Sequence, residues 1–154
     1  MPKNKSFINQ SISIKKPREV VFKALTQAEE LMRWFPSRAE SDPQPGGKLK
    51  LSWDFTDASQ NGTQDGEYVE VIPNEKLSYT WNADAIPTLV TFILSEANGE
   101  TTIELNHSTS QDGADEKKLR DDHANQWSFF LMNLKGYLEA GLDLRKEKLN
   151  QVIN

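Results

Sequence analysis

The apolar residues of the C-terminal part of the chain recur at helical spacing. Between residues 121 and 149 they step by three and four, the pattern of one helical face. This stripe comprises Trp127, Phe130, Leu131, Leu134, Tyr137, Leu138 and Gly141. Phe129 and Met132 fall outside it, so the apolar arc is wider than docking on one flat sheet requires. The pattern predicts a long helix that covers a sheet and also borders a cavity.

From Lys48 the period of the pattern changes to two. Leu49, Leu51, Trp53 and Phe55 share one face and polar residues share the other, as in a half-buried antiparallel strand. Similar alternation predicts strands over 67–72, 77–81, 88–95 and 101–108, with Asn98-Gly99 as a hairpin turn before the last strand. We expect the aromatic faces of these strands to lie beneath the long helix.

The N-terminal part predicts one strand and two helices. Residues 6–14 alternate loosely and form the opening strand, and Pro17 starts the first helix. Thr26, with Glu29 at capping-box spacing, starts a second short helix that Pro36 ends. Residues 37–47 are rich in proline and glycine and predict a loop, and 57–66 predict a polar turn. Helices at both ends of an antiparallel meander indicate an α+β fold.

Composition restricts the class of protein. A chain of 154 residues fits one domain, 1–154. A net charge of −5, with no basic cluster, disfavours nucleic acid as a partner. The absence of cysteine agrees with a reducing cytoplasm. The sequence has no apolar signal region and no run of 18 apolar residues, so neither secretion nor a membrane span is expected. Nothing in the sequence demands more than a monomer.

The order of elements and their motifs resemble the helix-grip, START-like (SRPBCC) superfamily, in its branch named for the activator of Hsp90 ATPase homologue 1. The match spans about residues 12 to 141. It rests on Pro17, Val20, Val21, Phe22, Ala24, Leu25, Leu31, Arg33, Trp34, Gly46-Gly47, Gly66 through Val71 to Pro73, Leu77, Tyr79, Thr80, Trp81, Trp127, Leu131, Leu134, Lys135 and Tyr137-Leu138-Glu139. The resemblance implies a curved antiparallel sheet wrapped around the long C-terminal helix, with two short helices after the first strand.

The resemblance also implies a function. Members of the superfamily are containers for hydrophobic small molecules such as lipids, polyketides or aromatic compounds, and a minority catalyse cyclisation or dehydration in the cavity. A chaperone-partner role is a third hypothesis. The eukaryotic activator engages Hsp90 through a separate N-terminal domain, for which we expect these 154 residues to have no room. Roles in stress response or detoxification are guesses. Ala124-Asn125-Gln126 stand where relatives often have glycines, which is expected to extend the helix and narrow the entrance.

Two histidines are the first candidates for acid–base chemistry. His107 continues the inward phase of its strand. It is either a hydrogen-bonded core histidine or, in an enzyme, a general base working with Tyr79 or Thr91. His123 follows Asp121-Asp122, which we expect to occupy the first turn of the long helix, so capping is favoured over a metal site. The sequence has no ligand spacing for a metal, no Gly-x-Ser-x-Gly elbow and no phosphate loop. We expect no metal and no cofactor.

The aromatic residues are the stronger candidates for function, although ordinary core packing explains each of them equally well. We expect Trp34 to lie near the mouth of the cavity. The residues expected to bind a ligand are Trp34, Trp53, Phe55, Tyr79, Trp81, His107, Trp127, Phe130, Leu131 and Leu134. The leading hypothesis is a non-catalytic protein that binds an apolar small molecule between the long helix and the sheet. The alternatives are a cavity enzyme of the cyclase or dehydratase type and a chaperone-like interaction module.

Overall fold

The structure is a computed structural model that describes residues 5–54, 62–83, 86–110 and 113–147, with side chains to 145. These residues form one sheet, three α-helices and a 3₁₀ helix. The elements in chain order are β1 (Lys5–Ile14), α1 (Arg18–Thr26), α2 (Ala28–Leu31), β2 (Arg38–Ser41), β3 (Lys48–Trp53), β4 (Gly62–Ile72), β5 (Lys76–Trp81), β6 (Thr88–Ala97), β7 (Glu100–Thr109), α3 (Glu116–Ala140) and a 3₁₀ helix (Leu144–Glu147).

The sheet is antiparallel throughout, in the order β1-β7-β6-β5-β4-β3-β2. The expected hairpin between β6 and β7 is confirmed. Asn98 and Gly99 both have positive φ, and Ala97 pairs with Glu100. This arrangement, with two short helices after β1 and a long C-terminal helix, confirms the α+β helix-grip fold.

Helix α3 is tied to the edge strand β1 along its length. The Gln10 side chain donates to the Ala124 carbonyl, and Lys135 Nζ donates to the carbonyl of Ser13. Glu139 accepts a hydrogen bond from the backbone N–H of Lys15. These contacts fix which side of α3 faces the sheet. The buried side carries Leu119, His123, Trp127, Phe130, Leu131, Asn133 and Leu134.

The 3₁₀ helix is anchored by a buried arginine. The Arg145 guanidinium donates to the carbonyls of Met32 and Pro36, just after α2, and pairs with Asp143. Asn133 on α3 donates to Asp143 and accepts from the N–H of Leu144. The carbonyls at the end of α2 are thereby satisfied by a side chain more than 100 residues away.

Several local predictions are wrong. Residues 38–41 lie in the predicted loop but form strand β2, because they pair with β3 at the sheet edge. The predicted turn over 57–66 contains the first residues of β4, from Gly62. Thr26 ends α1 and donates to the Phe22 carbonyl instead of capping α2. Helix α3 starts earlier than expected, and Asp115 caps it by accepting from the N–H of Lys118.

Candidate functional site

Strand ends and α3 bring three tryptophans together. Trp53 is the last residue of β3, Trp81 is the last residue of β5, and Trp127 lies on the buried face of α3. The ring centroids of Trp53 and Trp81 are 6.1 Å apart, and those of Trp81 and Trp127 are 5.7 Å apart. These side chains therefore meet at the end of the sheet from which the connections 54–61 and 82–87 leave.

Two phenylalanines complete this group. Phe35, just after α2, packs edge-on against Trp53 and Phe130 at 5.2 and 4.9 Å, and tilted against Trp127 at 5.5 Å. Phe130 also lies 6.4 Å from Trp53. Edge-to-face and tilted pairs at such distances stabilise aromatic groups beyond simple burial. We call Trp53, Trp81, Trp127, Phe35 and Phe130 the tryptophan cluster.

The members of the tryptophan cluster are all buried, but to different degrees. Trp53, Trp81 and Phe130 retain 7–9% exposure, whereas Trp34 and the strand residues Leu77 and Leu105 retain none. Trp53, Trp81 and Phe130 are therefore the least buried members of the tryptophan cluster.

His107 lies next to the tryptophan cluster, with the inward orientation that the alternation of β7 predicts, and is fully buried. The indole N–H of Trp127 donates to its Nδ1 at 3.1 Å. Nδ1 therefore carries no proton, and the neutral ring has its proton on Nε2. We assign Nε2–H as the donor to Thr88 Oγ1, 2.7 Å away, with the Thr88 hydroxyl donating to the Trp81 carbonyl. Both ring nitrogens are thus occupied.

Burial, with a smaller contribution from the nearby His123, lowers the pKa of His107 to about 3. A charged imidazolium loses its hydration there, and the Trp127 N–H would face a second N–H. A histidine that resists protonation and has both nitrogens bonded is unsuited to general base catalysis near neutral pH. Its position instead fixes the orientation of Trp127.

The other groups suggested for proton transfer are also poorly arranged. Burial, and then the neighbouring Tyr68, raise the pKa of Tyr79 well above its ordinary value. The Tyr79 ring packs edge-on against Tyr68 at 5.9 Å, deeper in the sheet. Thr91 alternates with the buried Val90 and Phe92, so it lies on the opposite face of the sheet from His107.

His123 is a core residue, and the prediction that it belongs to a helix cap is wrong. Because α3 starts at Glu116, Asp121 and Asp122 lie beyond the first turn and form exposed pairs with Lys117 and Lys118. The His123 ring is buried and packs against three aromatic rings. Its centroid lies 4.9 Å from that of His107, 6.1 Å from that of Trp81 and 6.3 Å from that of Phe7.

Three of the four tryptophan N–H groups have a hydrogen-bond acceptor and one does not. Trp34 donates to the Ala24 carbonyl, Trp53 to the Phe35 carbonyl and Trp127 to His107, at 2.9, 2.9 and 3.1 Å. The Trp81 N–H is buried as well, yet it has no acceptor in the part of the chain that the structure describes. Leaving such a donor unpaired costs about 1–3 kcal/mol.

Trp34 does not lie at a mouth. Its ring is fully buried and stacks on Phe35 at 4.9 Å, and Asn133 donates to its carbonyl. Trp34 is not a member of the tryptophan cluster, and it contacts that cluster through Phe35. Phe35 was not predicted as a site residue, because a residue at a helix end, directly after another aromatic residue, carries no periodic signal.

The remaining predicted ligand-binding residues divide into two groups. Leu131 and Leu134 are buried on α3 and form part of the core beside Phe130. Phe55 lies outside the described residues. Phe92, which was not predicted, connects Tyr79 with the tryptophan cluster, because its ring lies 6.2 Å from that of Tyr79 and 6.0 Å from that of Trp127.

Two further features are absent from the described residues. No three His, Asp or Glu side chains among them are grouped so that they could hold a metal ion. No helix among them combines the length and apolarity needed to cross a bilayer.

A sequence model of the family described as "Activator of Hsp90 ATPase homolog 1-like protein" matches residues 15–139. A search of curated proteins gives no match.

Solved structures share the fold. Protein MLL2253 from Mesorhizobium loti is 25% identical, with 86% of this chain and 97% of that chain covered and a TM-score of 0.70. The Aha1 dimer from Colwellia psychrerythraea is 24% identical, with coverages of 87% and 96% and a TM-score of 0.69. DynU16, a protein of the dynemicin biosynthetic locus, is 23% identical, with coverages of 87% and 47% and a TM-score of 0.69.

Proposed function

Since this chain belongs to the family of activator of Hsp90 ATPase homolog 1-like proteins, we propose that it binds a hydrophobic small molecule between α3 and the sheet. The observation that carries the proposal is the tryptophan cluster, a group of buried rings from β3, β5 and α3 that contains one unpaired donor. A concave apolar site with a few polar groups is the usual form of a small-molecule site. The occurrence of the same fold in a protein of the dynemicin biosynthetic locus is compatible with this role.

The rings favour a flat ligand. A planar molecule held between two parallel rings needs their centroids about 7 Å apart, twice the optimal carbon–carbon separation. The Trp53–Trp81 and Trp53–Phe130 centroids are 6.1 and 6.4 Å apart and tilted. Entry of such a ligand therefore requires these rings to turn and separate by about 1 Å, a change within the range of side-chain motion. Among lipids, polyketides and aromatic compounds, aromatic compounds fit this geometry best.

Binding of this kind should be moderate in strength. A ligand of the size of an indole buries about 150–250 Å², which stabilises the complex by roughly 4–6 kcal/mol at 25 cal/mol per Å². Opening the rings and losing translational freedom reduce this value. The assay must therefore detect dissociation constants from about 0.1 mM upward into the millimolar range.

A two-dimensional NMR titration that follows the four indole N–H signals meets this need. We would add fatty acids, flavonoids and polyaromatic compounds in turn. Saturable shifts at Trp53, Trp81 and Trp127, with a smaller shift at Trp34 behind Phe35, are the expected result. No saturable shift at these three signals with any of the three classes would contradict the proposal.

A control substitution must distinguish binding at the tryptophan cluster from binding to exposed apolar surface. Met132 lies two residues after Phe130 on α3, but its side chain is 54% exposed. Met132→Ser should leave the titration unchanged. If this substitution abolished the shifts, the compounds would be binding to the outside of α3 and the proposal would be wrong.

We propose that the chain binds its ligand as a monomer. The related Aha1 from Colwellia psychrerythraea was solved as a dimer, so the oligomeric state needs its own test. Analytical ultracentrifugation with and without ligand should give a single species near 17.5 kDa. A stable species of twice this mass would overturn the monomer proposal without affecting the binding site.

A further inference from the structure

The unpaired N–H of Trp81 distinguishes this residue from the other tryptophans of the chain. The sequence contains four tryptophans, and the three others each donate to an acceptor within the protein. Two of these acceptors are main-chain carbonyls and the third is the imidazole of His107. The fold thus satisfies every tryptophan donor except the one at the end of β5.

The surroundings of Trp81 place this donor inside the candidate site. Its ring lies 5.7–6.1 Å from the rings of Trp53, Trp127, His107 and His123, so it has aromatic neighbours on β3, β7 and α3. Trp81 as a whole retains 7% exposure, and its ring nitrogen is buried. A group that bonded to this nitrogen would therefore be surrounded by aromatic rings.

The polar groups next to Trp81 are already engaged. The Trp127 N–H and the two ring nitrogens of His107 bond to one another and to Thr88. The Trp81 carbonyl accepts from the Thr88 hydroxyl at 3.4 Å. The N–H of Trp81 is the donor that these bonds leave available, and an indole N–H cannot act as an acceptor.

We propose that the ligand is a neutral, planar aromatic compound whose carbonyl oxygen accepts a hydrogen bond from Trp81 Nε1. This inference rests on the proposed function and specifies the chemical class of its ligand. The group must be an acceptor, because the protein offers a donor. It is neutral, because a carboxylate would lose far more hydration energy among aromatic rings than one N–H returns. It is carried on a flat ring system, because the donor lies among rings.

Two compounds of nearly equal shape test whether a carbonyl group on the ligand strengthens binding. Fluorenone and fluorene share three fused rings, and fluorenone has C=O where fluorene has CH₂. We expect fluorenone to bind about two- to tenfold more tightly, the ratio that one net hydrogen bond gives. The Trp81 indole proton should shift downfield with fluorenone and not with fluorene. Fluorene-9-carboxylate should bind more weakly than either compound.

Two matched substitutions assign the effect to the donor. In Trp81→Phe the preference for fluorenone should disappear, because the N–H is gone. In Trp53→Phe, which alters the neighbouring ring of the tryptophan cluster, both dissociation constants should rise while the preference remains. The titration of the wild-type protein does not depend on how well either variant folds.

The outcomes separate the two proposals. If fluorene binds as tightly as fluorenone and the Trp81 proton does not shift, the inference is wrong although the binding site stands. Tighter binding of the carboxylate than of the ketone would also overturn it. If none of the three compounds gives saturable shifts at Trp53, Trp81 or Trp127, and the wider panel of compounds gives none either, the proposed function fails and the inference fails with it.

Discussion

Replacement of His107 by glutamine should change how stability depends on pH. Glutamine keeps polar donor and acceptor atoms near Thr88 and Trp127 but does not titrate. The substitution removes ring contacts, among them the one with Phe7 at 4.6 Å, and weakens the hydrogen bond from Trp127. At pH 7 we therefore expect His107→Gln to lower the free energy of unfolding by about 1–3 kcal/mol.

The pH dependence follows from the pKa of His107 in the two states. The unfolded chain protonates this histidine with a pKa of about 6.5, whereas burial lowers the pKa in the folded protein to about 3. Between these values the unfolded state binds more protons, so the free energy of unfolding falls as the pH falls. From pH 7 to pH 5, His107 accounts for a loss of about 2 kcal/mol. The contribution is complete above pH 6.5 and levels off below pH 3.

Urea unfolding at pH 7 and pH 5, followed by tryptophan fluorescence, measures this difference. All other titrating groups are present in both proteins, so most of their effects cancel in the comparison. The gap in stability between wild type and His107→Gln should shrink by about 2 kcal/mol at pH 5. Equal losses in both proteins would refute the reasoning, because they would mean that the folded protein protonates His107 as readily as the unfolded chain does.

Three further substitutions test the structure, each by urea unfolding against a matched control. Arg145→Met should cost about 3–5 kcal/mol by leaving the Met32 and Pro36 carbonyls without a donor and Asp143 without its cationic partner, whereas Arg38→Met, in an exposed pair with Asp54, should cost less than about 1 kcal/mol. Equal costs would contradict the buried anchor. Gly66→Ala should cost about 1–3 kcal/mol, because a Cβ there would overlap the Thr80 carbonyl, while Gly62→Ala on the same strand meets open space and should cost less than half as much. Comparable costs would argue against the close approach. Asp115→Ala should cost about 1 kcal/mol as the cap of α3, and Asp121→Ala, which removes only an exposed pair with Lys117, should cost less. The reverse order would place the helix start at Asp121, as the sequence pattern predicted.

Local patterns were sufficient to predict most of the fold. The alternation of Leu49, Leu51 and Trp53 and the helical spacing from Trp127 to Leu134 depend on one face being buried, and that information lies within each segment. Strand β2 escaped prediction because its four residues have no strong alternation, and they become a strand through pairing with β3. The start of α3 was missed because residues 116–120 contain a single apolar residue, Leu119, and resemble a polar linker.

Several residues of the candidate site could be predicted from the sequence, but the hydrogen bonds between them could not. Inward phase identified Trp53, Trp81 and His107 as neighbours of the long helix. The hydrogen bonds that hold His107 neutral come from Thr88 and Trp127, each about 20 residues away, and sequence spacing alone cannot locate them. The unpaired state of the Trp81 N–H is likewise a property of the assembled sheet.

Intermolecular NOEs in the complex with fluorenone test the central claim most directly. In a sample with labelled protein and unlabelled ligand, the ring protons of fluorenone should give NOEs to the side chains of Trp53, Trp81, Trp127 and Phe130. NOEs confined to the exposed apolar side chains Val69, Ile72 and Met132 would contradict the proposed site, because the compound would then lie on the outer surface and not between α3 and the sheet.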